Sequence, residues 1–230
     1  MTKPPAPPPR SPAPRRLPPR YPLLQNEPVV PTVVWVGRIE PLKDLHTLIR
    51  AFQLVRDELP DARLRLAGPV PEHAEAYAQS CHALVDRLGL RDSVDFTGPV
   101  ANSRKAYAAG HVVALPGTAE RIPYTVIEAM MCGRPTVSSD VGGVAEAVGE
   151  AGLVVAPGNP VAFAAACTDL LTDPQRRREL GAAARRRALA HFTTGKMLPV
   201  YEQLYRDVRA HGAQGAPLPR RAAHGLQHVR

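Results

Sequence analysis

Short apolar runs alternate with helical segments along the middle of this chain, and this alternation limits the folds it can adopt. Six runs rich in β-branched residues predict strands, at residues 33–36, 64–67, 94–96, 112–115, 136–138 and 153–155. Strands that alternate with helices form right-handed βαβ units, whose strands are parallel and whose helices cover both faces of the sheet. We therefore predict an α/β fold with a single Rossmann-like, doubly wound parallel sheet of about six strands, in the order 3-2-1-4-5-6.

Several helix boundaries are marked by proline, glycine and capping residues. The dipeptides Asn159-Pro160 and Asp173-Pro174 predict two helix starts, because Asn and Asp cap helices and proline suits the first helical position. Gly89 predicts the end of a helix over residues 72–88. The last predicted helix covers residues 196–210.

Proline and net charge are concentrated at the two ends of the chain. Twelve of the 26 prolines fall in residues 1–31, and most of the net charge of +8 lies in residues 1–32 and 211–230. Such segments have too few apolar side chains to bury, so we predict disordered tails over residues 1–31 and 211–230 and a folded domain over residues 32–210. The first tail either binds a partner, which would be an SH3-like domain or an anionic surface, or is a solvated linker. Because the charge lies in the tails, a nucleic-acid groove within the fold is disfavoured.

The cysteines and the hydropathy pattern bear on the compartment. Cys81, Cys132 and Cys167 form no CxxC pair and no metal-ligand spacing, which is typical of proteins in a reducing compartment. No apolar run reaches the roughly 18 residues of a membrane span, and the first residues lack the apolar core of a secretory signal. We expect a cytoplasmic protein with no membrane span and no bound metal.

Open doubly wound sheets bind ligands beyond the carboxyl ends of their strands, where the strand order reverses. For the predicted order this point lies between the first and fourth strands. After the first strand, Gly37 allows a sharp turn, and the cations Arg38 and Lys43 flank the start of the next helix. Two cations beside a helix N-terminus favour an anion site, although a surface turn with two solvated cations explains the same residues.

The segment after the fourth strand carries two glutamates and a helix start. The first-turn amides of Tyr124, Thr125 and Val126 are free to hold a phosphate without a P-loop. The carboxylates of Glu120 and Glu128 suit pairs of vicinal hydroxyls, as in a sugar and a ribose. The alternatives are a solvated loop acid at Glu120 and a helix-surface acid at Glu128. The helix around Glu128 is mostly apolar, so that acid should be partnered or face a ligand.

Several well-known motifs are missing from the sequence. It contains no GxxxxGK[ST] motif, which excludes a P-loop NTPase, and no GxGxxG follows the first strand, which disfavours a dinucleotide-dependent dehydrogenase. It also lacks the HExxH and GxSxG motifs and the protein-kinase signatures.

Three motifs in the right order resemble a known enzyme family. They are Gly37-Arg38 with Lys43, the segment ERIPYTVIE with its paired glutamates, and SDVGGVAE at residues 139–146. Together they resemble the donor-binding half of family-4 retaining glycosyltransferases of the GT-B fold. Within this family the resemblance is strongest to the PelF-like, polysaccharide-synthesising branch. It lies in the segments VVWVGRIEPLKDLHTLIRAF and PYTVIEAMMCGRPTVSSDVGGVAEAV. The resemblance implies that residues 32–210 form a nucleotide-sugar-binding domain, one half of a GT-B fold.

The resemblance also implies roles for individual residues. Arg38 and Lys43 would neutralise the donor's diphosphate, Glu128 would hold the ribose, and Glu120 would hold sugar hydroxyls. The amides of Tyr124, Thr125 and Val126 would complete the phosphate site, and Gly37, Gly68 and Val100, with residues 96–100, would line the site of the nucleotide. The implied donor is UDP-glucose. Its glucosyl group would be transferred with retention by front-face displacement, without a cofactor or metal.

The sequence departs from the family pattern in two ways. The family loop reads E-G-[FL]-P, and Arg121 replaces its glycine, so the pocket is narrowed or altered. The acceptor-binding half of a GT-B enzyme normally precedes the segment seen here, whereas only 32 residues do so in this sequence. We therefore expect the acceptor site to lie on another chain.

Three functional hypotheses remain open. The first is an enzyme subunit that works with a separately encoded acceptor-binding domain or self-associates through its final helix, whose apolar stripe comprises Leu198, Val200, Tyr201, Leu204 and Val208. The second is a non-catalytic nucleotide-sugar-binding module, or a truncated remnant of such an enzyme. The third, nucleic-acid binding through the basic tails, depends on charge alone.

Overall fold

One sheet of six parallel strands forms the centre of the protein. The computed structural model describes residues 21–120 and 123–212. The strands are β1 (Thr32–Val36), β2 (Arg63–Ala67), β3 (Val94–Gly98), β4 (Val112–Leu115), β5 (Thr136–Ser139) and β6 (Leu153–Val155). Their order in the sheet is β3-β2-β1-β4-β5-β6, which confirms the predicted order. β1 is central, pairing Val33 with Leu64 of β2 on one side and with Val112 of β4 on the other.

Eight α-helices connect or follow the strands in the described part of the chain. They are α1 (Leu45–Glu58), α2 (Glu75–Arg87), α3 (Ser103–Ala108), α4 (Tyr124–Met131), α5 (Val144–Val148), α6 (Pro160–Thr172), α7 (Pro174–His191) and α8 (Thr194–Gly212). Two 3₁₀ turns, Pro41–Lys43 and Glu72–Ala74, precede α1 and α2.

Local sequence signals determine where these helices begin and end. The Asn159 side chain accepts a hydrogen bond from the Ala162 amide at 3.0 Å, and Asp173 accepts one from Arg176 at 2.9 Å. Both residues precede a proline, as the sequence predicted. Gly89 follows α2 with a φ of +67°, a left-handed conformation that glycine adopts without steric cost. The starts of α6 and α7 and the end of α2 are therefore set locally.

The helices pack on both faces of the sheet, which confirms the doubly wound α/β class. The larger core lies between the sheet and α1, α2 and α6, and includes the fully buried side chains of Trp35, Phe52 and Phe163. On the opposite face, α4, α5 and α7 cover β4 and its neighbours, and Tyr107 of α3 packs against Val34 and the end of α4. Because both faces are covered, the ends of the strands are the places where a ligand can reach the sheet.

The N-terminal boundary differs from the prediction of a disordered tail over residues 1–31. Residues 21–27, which we call the N-terminal strap, lie against α4 and α7. The Leu24 amide donates to the Cys132 carbonyl at 3.0 Å, and Glu27 accepts two hydrogen bonds from Arg177, at 2.9 and 2.7 Å. The prediction missed this packing because it rested on average composition, whereas the strap is held by a few specific contacts. Residues 1–20, with the predicted SH3-type ligand, lie outside the described residues.

The C-terminal end continues slightly further than predicted. Helix α8 extends to Gly212, two residues beyond the predicted end at residue 210. Along α8 the apolar stripe is exposed: the exposed fractions are 54% for Leu198, 69% for Val200 and 47% for Tyr201. Of the basic tail predicted over residues 211–230, residues 213–230 lie outside the described residues.

Candidate functional site

The segments that follow β1 and β4 meet at the point where the strand order reverses. The Thr118 amide donates a hydrogen bond to the Leu42 carbonyl at 3.0 Å, joining the loop after β4 to the turn after β1. The Thr125 hydroxyl donates to the Val36 carbonyl at 3.2 Å, so the first turn of α4 is attached to the end of β1. These two bonds hold the two predicted site segments side by side.

A cleft of about 610 Å³ opens at these strand ends. Its lining includes five of the predicted site residues: Gly37, Arg38, Gly68, Val100 and Glu128. The other five predicted residues do not line the cleft. Lys43 lies in the turn before α1, Glu120 in the loop after β4, and Tyr124, Thr125 and Val126 in the first turn of α4. The sequence therefore predicted the location of the cleft, while the structure divides the predicted residues between the cleft and its margin.

Close backbone contact at Gly68 shapes the cleft. A Cβ atom at this position would lie 1.6 Å from the carbonyl oxygen of Gly37, far inside van der Waals contact. The Gly37 amide donates to the Ala67 carbonyl at 3.0 Å, which keeps the two strand ends together. Only glycine fits at residue 68, and the two glycines bring the ends of β1 and β2 together at the floor of the cleft.

Both predicted cations form ion pairs. Lys43 Nζ lies 2.8 Å from Glu120 Oε2, with only 20% and 18% of the two side chains exposed. Arg38 Nη2 lies 3.1 Å from Glu40 Oε1; the arginine side chain is 63% exposed and the glutamate 10%. Sequence reasoning missed Glu40, although its place two residues after Arg38 could have suggested it. Each cation therefore already has a carboxylate partner. An anionic ligand would compete with that carboxylate for the cation.

Glu128 has two hydroxyl partners in addition to its place in the cleft. Its Oε2 atom accepts from the Tyr107 hydroxyl at 2.8 Å and from the Ser103 hydroxyl at 3.1 Å. Burial, and then the negative charge of Glu128, raise the pKa of Tyr107, so its hydroxyl remains protonated and donates. The sequence indicated that this acid should be partnered or face a ligand; the structure shows two partners and places Glu128 in the cleft lining. The sequence did not indicate that Ser103 and Tyr107 would be the partners.

The first turn of α4 carries the three amides that the sequence predicted as phosphate donors, those of Tyr124, Thr125 and Val126. Pro123 precedes the helix and provides no side-chain hydrogen bond to it. The first amides of a helix have no acceptor within the helix, which is why helix N-termini suit anions. Arg121, which replaces the family's glycine, lies outside the described residues.

Residues 21–120 and 123–212 contain no group of three or more His, Cys, Asp or Glu side chains that could hold a metal ion. No helix in this part of the chain is long and apolar enough to cross a membrane. A cleft with two nearby cations, a helix N-terminus and a carboxylate can accept an anionic, hydroxyl-rich ligand.

Solved structures similar to this chain include nucleotide-bound proteins. The Anabaena protein Alr3699/HepE, solved with UDP, with UDP and glucose, and with UDP-glucose, is 27% identical with a TM-score of 0.71 over 76% of this chain and 48% of that one. Sucrose-phosphate synthase from Thermosynechococcus elongatus is 32% identical with a TM-score of 0.73, over 83% of this chain and 50% of that one. The sheet therefore has the fold of one GT-B glycosyltransferase half.

A curated relative of this chain is also a glycosyltransferase. The D-inositol 3-phosphate glycosyltransferase of Kineococcus radiotolerans is 37% identical over 194 residues, which cover 76% of this chain and 45% of that protein. The chain thus spans less than half the length of this relative. Residues 30–173, more than half of the chain, match the family model described as glycosyl transferases group 1. On these grounds the chain belongs to the group 1 glycosyltransferase family.

Proposed function

We propose that this domain binds the nucleotide-sugar donor of a group 1 glycosyltransferase, and that UDP-glucose is the donor. The observation that carries the proposal is the cleft at the strand reversal, lined by Gly37, Arg38, Gly68 and Glu128. The UDP, glucose and UDP-glucose complexes of the Anabaena protein support this ligand class. UDP-glucose is also the donor implied by the resemblance to the PelF-like branch.

The donor's diphosphate has three sources of stabilisation at the margin of the cleft. Arg38 and Lys43 supply positive charge, and the amides at the start of α4 supply hydrogen-bond donors. Charge-assisted hydrogen bonds contribute about 1.5–3 kcal/mol each, more than the roughly 0.3–1 kcal/mol of a helix dipole. We therefore assign most of the diphosphate affinity to the two cations.

The two glutamates have separate roles in the proposal. Glu128 lines the cleft and is oriented by Ser103 and Tyr107, so its second oxygen can accept from ribose hydroxyls. Glu120 lies beside Lys43 at the margin of the cleft, where the sugar joins the diphosphate, and accepts from sugar hydroxyls. Gly68 and Val100 line the side of the cleft that receives the base.

The proposed reaction is transfer with retention at the anomeric carbon. As the bond to the sugar breaks, negative charge develops on the leaving diphosphate, and Arg38 and Lys43 stabilise it. The acceptor hydroxyl must be held within about 3–3.5 Å of the anomeric carbon, which we assign to a separate acceptor-binding domain. The exposed apolar stripe of α8 is a candidate contact for that domain or for a second copy.

The proposed acceptor is a molecule that offers a hydroxyl group. The name of the Kineococcus relative favours an inositol phosphate. The resemblance to the PelF-like branch favours a growing polysaccharide. Both are hydroxyl acceptors, and assays with a matched acceptor-binding domain should include D-inositol 3-phosphate and an oligosaccharide.

The proposed compartment is the cytoplasm. The described cysteines Cys81, Cys132 and Cys167 are buried free thiols. Burial raises the pKa of Cys81 and of Cys132 to about 11, so both remain protonated and poorly reactive. Buried, unpaired thiols fit a reducing compartment, where nucleotide sugars would also be available to the domain.

Calorimetry of the purified chain with UDP, UDP-glucose and GDP-mannose tests the donor proposal. We expect UDP to bind with a dissociation constant on the order of 0.01–1 mM, the range for a cleft of one domain that leaves the ligand partly open to solvent. Lys43→Ala and Arg38→Ala should each weaken UDP at least about fivefold, while the exposed control Lys196→Ala should not. Absence of UDP binding, or unchanged affinity in both site variants, would contradict the proposal.

A second assay addresses catalysis. Release of UDP from UDP-glucose is followed with the chain alone and with a candidate acceptor-binding domain, and light scattering reports the oligomeric state. We expect acceptor-dependent release only when both domains are present. Efficient transfer by the monomeric chain alone would contradict the proposed division of labour, and no release under any condition would favour a non-catalytic binding module.

A further inference from the structure

The N-terminal strap contributes a residue to the nucleotide cleft. Tyr21 lines the cleft together with Arg38, Ser103 and Glu128. The sequence composition predicts a disordered tail at this tyrosine and indicates no role for it. Of the strap residues, only Tyr21 lines this cleft.

The strap is attached closely enough to hold Tyr21 in place. The Tyr21 carbonyl accepts from Arg185 Nη1 at 3.2 Å, and the same guanidinium group donates to the Met131 carbonyl at the end of α4. Further along the strap, the Leu24 amide donates to Cys132 and Glu27 pairs with Arg177. These anchors join the strap to α4 and α7, so Tyr21 is fixed relative to Glu128 of α4.

The side chain of Tyr21 packs on the small apolar cluster that contains Tyr107 and Val36. Tyr107 is the residue whose hydroxyl donates to Glu128. The pKa of Tyr107 is raised first by burial, then by Glu128, with a smaller contribution from Tyr21. An aromatic side chain beside a carboxylate in a cleft of nucleotide size is suited to contact a sugar or base face.

We propose that Tyr21 contacts the nucleoside part of the donor, next to Glu128, and contributes to nucleotide affinity. This inference rests on the proposed function of the cleft. Tyr21 then supplies aromatic surface, while Arg38 and Lys43 supply charge to the diphosphate. The strap is thereby part of the binding site, since its anchors on α4 and α7 set the position of the ring.

The test compares UDP binding by the full chain and four variants, using calorimetry and thermal unfolding. Tyr21→Ala removes the ring, and Tyr21→Phe keeps the ring but removes the hydroxyl. Leu23→Ala is the matched control. Leu23 belongs to the same strap and packs against Gly133 after α4, but it does not line the cleft. Tyr201→Ala removes an exposed tyrosine of α8.

We expect Tyr21→Ala to raise the dissociation constant of UDP about tenfold, the scale of losing one aromatic contact to a nucleoside. Tyr21→Phe should stay within about threefold of the wild type, and Leu23→Ala and Tyr201→Ala within about twofold. If Tyr21→Ala binds UDP as the wild type does, or if Leu23→Ala weakens UDP equally, the contact is overturned. Failure of the wild type itself to bind UDP would instead overturn the proposed function of the cleft.

Discussion

The ammonium group of Lys43 lies 2.8 Å from the carboxylate of Glu120, across 77 residues of sequence. The two residues come from the turn after β1 and the loop after β4, which meet because the strand order reverses there. If Lys43 binds the diphosphate as proposed, Glu120 competes with that diphosphate for the ammonium group. Part of the proposed affinity of Lys43 for phosphate would then be offset by breaking this pair.

Replacing Glu120 should strengthen the binding of UDP. In Glu120→Gln the ammonium group of Lys43 has no competing carboxylate, and a negative charge beside the diphosphate is removed. A partly exposed ion pair is worth about 0.2–1 kcal/mol, so we expect UDP to bind more tightly, by up to about fivefold. UDP-glucose should gain less, because Glu120 is also the proposed acceptor for its sugar hydroxyls.

Calorimetry with both ligands, and Glu58→Gln as an exposed control, measures this difference. The decisive quantity is the ratio of the two dissociation constants in each variant. Weaker binding of UDP by Glu120→Gln than by the wild type would show that Glu120 does not compete for Lys43.

Replacing Glu128 should weaken ligands that contain ribose and leave others unchanged. Glu128→Gln keeps the shape of the side chain but loses the charge that favours hydroxyl donors, and charge-assisted hydrogen bonds are worth about 1.5–3 kcal/mol. We expect UDP to bind at least about tenfold more weakly. Pyrophosphate should bind as it does to the wild type.

Competition between UDP and pyrophosphate in a thermal-shift or calorimetric assay tests this selectivity. Glu146→Gln, an exposed helical acid on α5, is the matched control. Equal weakening of UDP and pyrophosphate would place Glu128 at the diphosphate and not at the ribose.

The sequence predicted the sheet and the position of the cleft because both depend on local patterns. Short apolar runs separated by helical segments determine the βαβ units, and the strand order follows from how such units pack. The site segments then follow from that order alone, since they come directly after β1 and β4. This is why Arg38, Lys43, Glu120 and Glu128 could be selected before any contact was known.

Contacts between distant residues could not be predicted in the same way. Glu27 and Arg177 are separated by 150 residues, and nothing in either neighbourhood indicates the other. The Tyr107 and Ser103 hydroxyls reach Glu128 only because α3 packs beside α4. Such pairs depend on tertiary packing, which a pattern of hydrophobic residues does not specify.

Adding a methyl group at Gly68 should disrupt both folding and binding. A Cβ atom there would lie 1.6 Å from the Gly37 carbonyl oxygen, and backbone atoms cannot give way without moving β1 or β2. We expect Gly68→Ala to lose about 3 kcal/mol or more of unfolding free energy, at the upper end of overpacking effects. The measurement is urea-induced unfolding, followed by UDP titration of any folded protein.

Gly195→Ala is the control for this glycine. Its added Cβ meets no atom within 4 Å, and the residue lies in helix α8, where alanine is favoured over glycine. It should be neutral or slightly stabilising. Wild-type stability in Gly68→Ala would contradict the close approach of the β1 and β2 ends.

The ion pair of the N-terminal strap should make stability depend on pH. The hydrogen bonds from Arg177 hold the pKa of Glu27 below its ordinary value of 4.5. A carboxyl group with a lowered pKa contributes stability that is fully present above its unfolded pKa and is lost as the pH falls through the folded pKa. Glu27→Gln should therefore cost about 1–2 kcal/mol of unfolding free energy at pH 7, and the difference from the wild type should shrink below about pH 4.5.

Urea unfolding of both proteins between pH 7 and pH 3.5 tests this dependence. Glu150→Gln, in an exposed turn, removes the same charge without a buried partner and should show no such convergence. The side chain of Arg177 is only 5% exposed. In Glu27→Gln its guanidinium group keeps its hydrogen bonds to the Leu170 and Leu171 carbonyls but loses the anionic partner at residue 27. A cost that is the same at pH 7 and pH 3.5 would mean that the strap is held by its backbone and apolar contacts and not by the charge of Glu27.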